Sequence, residues 1–378
     1  MEFSSTSEQR ALVTAAHKFA GDRIAPFYQQ RALEQTFDRE TIRAMGELGF
    51  FGVDLPEEYG GLGQDCLTAG LVVEALSGAD YNLAYVPITV SLVGRILLEH
   101  GDPQAISPWL DRMTRGEAIP CIALTEPGAG SDAAALRLRA VRDGEEFVLN
   151  GEKTSISMAT QADVAVVFAR TGDAPRHRGI SAFLVPLDTP GISTSRFDDH
   201  GADEAGRGSI FFDDVRLPAD HLIGDENAGF AQVMVGFDYS RALIGLQSLA
   251  VARQSLDETW LYIQQRQTFG EPLSSYQGVT FPLAEAETHY TAARLMCLQA
   301  LWLRDQGLPH ARESAMCKWW AVKLAYEIVM ACLLSHGHAG YSQELPFEQR
   351  LRDLLGLQIG DGTAQIMKLI ISRSHLAS

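Results

Sequence analysis

The sequence predicts an α+β protein, mainly α, built as an N-terminal helical domain, a middle antiparallel β domain and a C-terminal four-helix bundle. Three observations carry that prediction. Apolar residues recur at helical spacing through the first 118 residues, short alternating runs replace them over 119–224, and helical spacing then returns and persists over 225–378. With 378 residues, 46% of them hydrophobic, the chain has the length of two or three domains and enough apolar surface for a large core.

Each domain has its own signals. Over 1–118, Ser5 and Glu8 have the spacing of a capping box before a stripe of Leu12, Val13, Ala16 and Phe19. Similar stripes at 39–50, 66–79 and 88–100 are separated by Gly- and Pro-bearing breaks at 56–63, 101–103 and 116–120. Over 119–224, the stretch EEFVLNGEKTSIS alternates about Asn150-Gly151, a pair suited to the tight turn of a β-hairpin. Further β runs at 163–170, 179–187 and 209–215 have no helices between them, which predicts a small antiparallel sheet or barrel and argues against βαβ units. Over 225–378, helical segments near 228–266, 272–305, 311–336 and 345–376 with short connections predict an antiparallel bundle.

Composition excludes several functions. The 31 Lys and Arg against 48 Asp and Glu give a formal charge of −17, which argues against a nucleic-acid partner because phosphate contacts need a basic surface. Cys66, Cys121, Cys297, Cys317 and Cys332 show no CxxC or finger spacing, as expected of buried thiols in a reducing compartment. The start, MEFSSTSEQRALV, lacks a basic stretch followed by an apolar run, and no segment is apolar for the length of a membrane span. The expectation is a cytoplasmic protein without membrane insertion. GxSxG, HExxH and GxxxxGK[ST] are absent, and the glycines at 60–63 and 128–132 do not make GxGxxG. His336 and His338 bracket Gly337 without further ligand types beside them, so no metal site is expected.

Chemistry concentrates in four segments. The first is Ala123-Leu124-Thr125-Glu126-Pro127-Gly128-Ala129-Gly130-Ser131-Asp132, whose small residues and hydroxyls let backbone amides approach a large polar ligand. The others are Asn150-Gly151-Glu152-Lys153, then Arg266-Gln267-Thr268-Phe269-Gly270, then Asp361-Gly362-Thr363-Ala364-Gln365-Ile366. In this order and over the whole chain they resemble the acyl-CoA dehydrogenase family.

The resemblance implies FAD held between the β domain and the bundle, an acyl-CoA thioester against one flavin face, and removal of an α-proton with hydride transfer from the β-carbon to flavin N5. By position, Leu124 and Thr125 are expected at the flavin and Ser131 at the FAD or CoA end. Ser157 replaces a Thr near N5, and Ser155 stands where many relatives have a Trp beside the flavin. Arg266 and Phe269, with Gln277 nearby, are expected to reach the FAD of a neighbouring subunit, and a guanidinium suits a pyrophosphate. Thr363 and Gln365 are expected on the FAD phosphate and ribose side, and Arg241 near the acyl-CoA. A homotetramer and electron-transferring flavoprotein as acceptor are likewise implied. Leu334 replaces a Gln that in relatives touches the neighbouring FAD.

Two departures bear on the substrate. Asp361 stands where most relatives carry the base glutamate, and Gly360 replaces the aromatic residue before it. The carboxylate is retained but recedes by about a bond length, a displacement that matters to catalysis. Ser240 occupies the alternative base position used by some relatives and cannot serve. Asp361 as base with Gly360 beside the substrate is the pattern of cyclohexanecarboxyl-CoA dehydrogenases, whose substrate is branched at the α-carbon. Two other readings stay open at this point: a nitroalkane-oxidase-like flavoprotein, which also uses an Asp base, and a non-catalytic subunit of a hetero-oligomer.

Overall fold

The computed structural model describes residues 4–376, apart from the side chains of Gln232 and Val233. Helices come first: α1 (Ser7–Phe19), α2 (Tyr28–Glu34), α3 (Arg39–Glu47), α4 (Cys66–Ser77), α5 (Tyr85–His100) and α6 (Pro103–Thr114). The strands follow as β1 (Pro120–Ala123), β2 (Arg139–Asp143), β3 (Glu146–Ile156), β4 (Val164–Arg170), β5 (Ile180–Pro186), β6 (Ile192–Arg196), β7 (Gly208–Pro218) and β8 (Leu222–Ile223). Then come α7 (Gly229–Gln265), a small hairpin of β9 (Gln267–Thr268) and β10 (Glu271–Pro272), and α8 (Gln277–Asp305). A last stretch holds α9 (Ala311–Met316), α10 (Val322–Ser335), α11 (His338–Tyr341), α12 (Phe347–Ile359) and α13 (Ala364–Leu376). The predicted helical, β, helical order is the observed one. The first helix does have a capping box, one residue later than expected: Thr6 Oγ1 accepts from the Gln9 N–H at 3.1 Å, and Gln9 Oε1 accepts from the Thr6 N–H at 3.0 Å.

The residues form two compact units, one of Met1–Gln30, Cys66–Tyr85 and Arg241–Ser378, the other of Arg31–Asp65 and Val86–Ser240. The second unit holds an eight-stranded sheet in the order β6-β7-β3-β2-β4-β5-β8, with β1 paired to β4. Of the sheet and the barrel that the sequence allows, the strand order gives an open sheet. Most pairs are antiparallel, as short turns require, but β1 and β2 each run parallel to β4. The strand β4 is buried at six of its seven residues, and Phe147 meets Phe183 edge-on with centroids 4.9 Å apart, a contact worth about 1 kcal/mol beyond burial.

Asn150-Gly151 does not turn the chain. The β2–β3 turn falls at Gly144-Glu145, with Asp143 paired to Glu146, and Asn150 pairs with Arg139 inside the ladder. Gly151 instead marks an irregularity between β3 and β7, has φ of +139°, and would bring a Cβ within 3.1 Å of Leu138 Cα. The glycine serves a close backbone approach, which sequence alternation alone does not distinguish from a turn.

In the first unit, α10 packs on α12, α4 on α8, and α13 on α9, burying Leu301, Leu324, Leu354 and Met367. The Asp305 carboxylate accepts the Cys66 and Leu67 N–H groups at 2.8 and 3.0 Å, which satisfies the start of α4. Two of the four long segments expected here are interrupted. A π turn at Cys317–Ala321 joins α9 to α10, and residues 360–363 separate α12 from α13. These two interruptions meet at the candidate site.

Candidate active site

The first two sequence motifs are fastened together inside the second unit. Lys153, fully buried on β3, places Nζ 2.7 Å from Glu126 Oε1 and 3.1 Å from the Leu124 carbonyl. The Glu126 carboxylate also accepts the N–H groups of Arg137 and Leu138, at 2.5 and 2.8 Å. The Thr125 carbonyl accepts the Thr154 N–H at 2.8 Å. Burial lowers the Lys153 amine to about 8, opposed by the Glu126 charge and hydrogen bond. A buried charge pair tolerates loss of neither partner, so the loop from Leu124 onward has its start fixed to β3.

Beyond Lys153 the register of β3 slips by one residue against β7, Lys153 pairing with Ile210 and Ile156 with Gly208. Ser155 lies in this bulge at φ +57° and its side chain is exposed; a bulge re-aims side chains in this way. Ser157 and Thr125 are half-buried, Leu124 is buried and Ser131 is exposed.

The fourth motif lies in the first unit, in the break between α12 and α13. Asp361 has φ +51° and Gly362 φ +94°, two consecutive left-handed residues. A Cβ on Gly362 would come within 2.6 Å of Met367 Cε. Thr363 starts α13, its Oγ1 accepting the Ile366 N–H at 3.4 Å and its carbonyl the Met367 N–H at 3.0 Å. Gly360 is exposed, and a Cβ there would touch only Gly356 O and Leu357 Cδ2 at 3.4 and 3.5 Å, so glycine leaves room that a side chain could have filled. Gln365 is exposed on the first turn of α13.

Asp361 is held from two sides. The Tyr85 hydroxyl donates to Oδ2 at 3.1 Å, and Lys318 Nζ, in the π turn, donates to the carbonyls of Gly360 and Gly362. Burial lowers the Lys318 amine to about 8; the Asp361 charge opposes this and the Arg241 charge adds to it. Arg241, 5% exposed on α7, is therefore electrostatically coupled to the same group. The phenol of Tyr81 is pushed above its ordinary range by burial and by the charges of Asp353 and Asp361. A carboxylate on a short loop, oriented through one oxygen by a phenol hydroxyl, has the chemistry of a proton acceptor.

The third motif stands apart from these contacts as a hairpin. Arg266 is exposed, its carbonyl accepts the Leu273 N–H at 2.8 Å, and Phe269 at the tip is 95% exposed with φ +49°. Gln277 is exposed at the start of α8. The sequence reading missed Tyr85, Lys318 and the Glu126–Lys153 pair. Lys318 had a signal, a lone cation among Cys317, Trp319, Trp320 and Ala321; Tyr85 had none. His336 is a packed residue, stacked on Tyr262 with centroids 4.1 Å apart, and the described residues hold no cluster of three or more His, Cys, Asp or Glu able to bind a metal.

The chain belongs to the acyl-CoA dehydrogenase family, whose N-terminal, middle and C-terminal domains match residues 6–117, 121–215 and 227–376. A probable acyl-CoA dehydrogenase of Bacillus subtilis (strain 168) is 36% identical over 380 residues, covering 100% of both chains. The mitochondrial short-chain specific acyl-CoA dehydrogenase of Rattus norvegicus is 35% identical, covering 95% of this chain and 88% of the relative. The structure of butyryl-CoA dehydrogenase from Megasphaera elsdenii superposes with a TM-score of 0.96 at 30% identity, covering 100% of both chains.

The protein is thus an FAD-dependent acyl-CoA dehydrogenase. Its residues fit that cofactor: at Gly128 and Gly130 nothing lies within 4 Å of where a Cβ would stand, and the half-buried hydroxyls of Thr125 and Ser157 offer hydrogen bonds. Among the described residues no helix is long and apolar enough to cross a membrane.

Proposed function

We propose that the enzyme dehydrogenates an acyl-CoA branched at the α-carbon or carrying a ring there, with cyclohexanecarboxyl-CoA as first candidate and Asp361 as the base. The observation that carries this reading is the pair Gly360-Asp361: a carboxylate one methylene shorter than glutamate, beside a glycine whose side-chain space is open. Bound FAD would supply the hydride acceptor, at N5, for the hydrogen of the β-carbon. The chain's own groups do the rest. Asp361 removes the α-proton, Tyr85 orients its carboxylate, and Arg241 and Gly360 border the acyl-CoA. Leu124, Thr125, Ser155 and Ser157 border the flavin, Ser131 the FAD or CoA end, and Thr363 and Gln365 the phosphate and ribose.

Arg266, Phe269 and Gln277 are assigned to the FAD of a neighbouring subunit in a homotetramer, a role that suits an aromatic ring 95% exposed at a hairpin tip. Electron-transferring flavoprotein is the proposed acceptor. Five free, buried cysteines accord with a cytoplasmic setting.

A second reading, a straight short-chain acyl-CoA, is favoured by the short-chain and butyryl-CoA enzymes among the similar proteins. Anaerobic titration with linear, methyl-branched and cyclic acyl-CoAs, following loss of flavin colour, separates the two. The α-branched reading expects the highest specificity for a branched or ring thioester. Far higher specificity for butanoyl- or octanoyl-CoA would overturn it in favour of the second reading. Rapid oxygen consumption with nitroethane and no bleaching by any thioester would overturn both.

A further inference from the structure

We propose that Lys318 is the positioning residue of the base loop, its ammonium holding the carbonyls on either side of Asp361 and so fixing the left-handed backbone from which the carboxylate projects. This rests on Asp361 being the base.

The backbone at 360–363 belongs to no regular element, and its conformation has to be imposed. Asp361 and Gly362 lie consecutively at φ +51° and +94°, left-handed backbone that a non-glycine residue adopts only where its surroundings hold it there. The Gly360 N–H is bonded to Gly356 O at 2.9 Å, and Thr363 caps α13. The carbonyls of Gly360 and Gly362, on either side of the base, are both taken by one ammonium. Because the two acceptors flank residue 361, rotation of the peptides around it breaks at least one of these bonds.

The cation itself is held in an unusual way. Lys318 is 1% exposed, and burying an ammonium is unfavourable unless its donors are satisfied. It emerges from the π turn Cys317–Ala321, and such single-turn widenings of a helix are frequent at functional sites. The charged groups facing it are Asp361 on the loop and Arg241 on α7; Asp361 in turn faces Tyr85 and Tyr81. Lys318 touches backbone carbonyls and not the reacting atoms, so its effect on the reaction passes through Asp361.

The test compares Lys318→Met with Lys318→Arg and Asp361→Asn as flavin-loaded enzymes. Anaerobic stopped-flow reduction is followed with whichever of cyclohexanecarboxyl-CoA and butanoyl-CoA bleaches the wild type faster. Lys318→Met is expected to keep its flavin spectrum and to change the half-saturating thioester concentration less than about 3-fold. Its limiting reduction rate should fall by on the order of 100-fold, the penalty of a misplaced base. The kinetic effect of α-deuteration should grow, and Lys318→Arg should recover about tenfold of the loss. A limiting rate in Lys318→Met within about 3-fold of wild type, beside an inert Asp361→Asn, overturns this proposal alone. Bleaching at the wild-type rate by Asp361→Asn overturns the base assignment and this proposal with it. Where Lys318→Met does not retain flavin, Lys318→Gln is measured in the same way. A slowed limiting rate at unchanged half-saturation supports the proposal, and a wild-type rate or loss of flavin in this variant too overturns it.

Discussion

The hydroxyl of Tyr85 donates to Oδ2 of Asp361 across 3.1 Å. This bond ties the carboxylate to a side chain 276 positions away in sequence, so its direction does not depend on its loop alone. Removing the hydroxyl while keeping the ring isolates that contribution. Tyr85→Phe is expected to slow anaerobic flavin reduction by roughly 10-fold at unchanged thioester affinity, in line with a hydrogen bond to a charged group worth about 1.5–3 kcal/mol. An unchanged reduction rate would show that the bond orients nothing the reaction uses.

The Glu126–Lys153 pair predicts a stability effect. Lys153→Met leaves Glu126 buried without its cation and is expected to destabilise the protein by about 3–5 kcal/mol in denaturant unfolding.

The same pair predicts a pH dependence. Burial depresses the Lys153 amine to about 8 in the folded protein, against 10.5 for a free lysine. Below about pH 8 both states hold the proton; between there and 10.5 the unfolded chain holds more protons than the folded one, so the contribution of Lys153 to stability rises with pH in that window. The stability difference between wild type and Lys153→Met should therefore widen from pH 8 to pH 10. A narrowing difference would contradict the depressed amine.

Much of this fold was legible because its signals are periodic. Apolar stripes gave the long helices, and the loss of that spacing after residue 118 marked the β region. Asn150-Gly151 misled because the glycine allows a close approach to Leu138 inside a ladder, a tertiary reason that local alternation does not record. The last helical segment read as continuous from 345 to 376, yet breaks at 360–363, where Gly360, Gly362 and Thr363 are stop and start signals that a family motif had already drawn attention to for other reasons. Asp361 was singled out as a candidate by its motif. Its partners were not, since Tyr85 and Lys318 are brought to it by packing between segments far apart in sequence.

Lengthening the proposed base tests the spatial argument. Asp361→Glu moves the carboxylate outward beside the open Gly360 position and is expected to lower the turnover of ring thioesters relative to slim linear ones by about 10-fold. Steady-state ratios equal to those of wild type would count against a pocket shaped by the shorter side chain.

Proton abstraction by Asp361 is tested most directly by anaerobic addition of acyl-CoA to Asp361→Asn. The substitution is nearly isosteric and removes the proton acceptor while leaving an oxygen for Tyr85. The account predicts full flavin content, retained thioester binding and no loss of flavin colour over minutes; bleaching at the wild-type rate would show that a different group takes the proton.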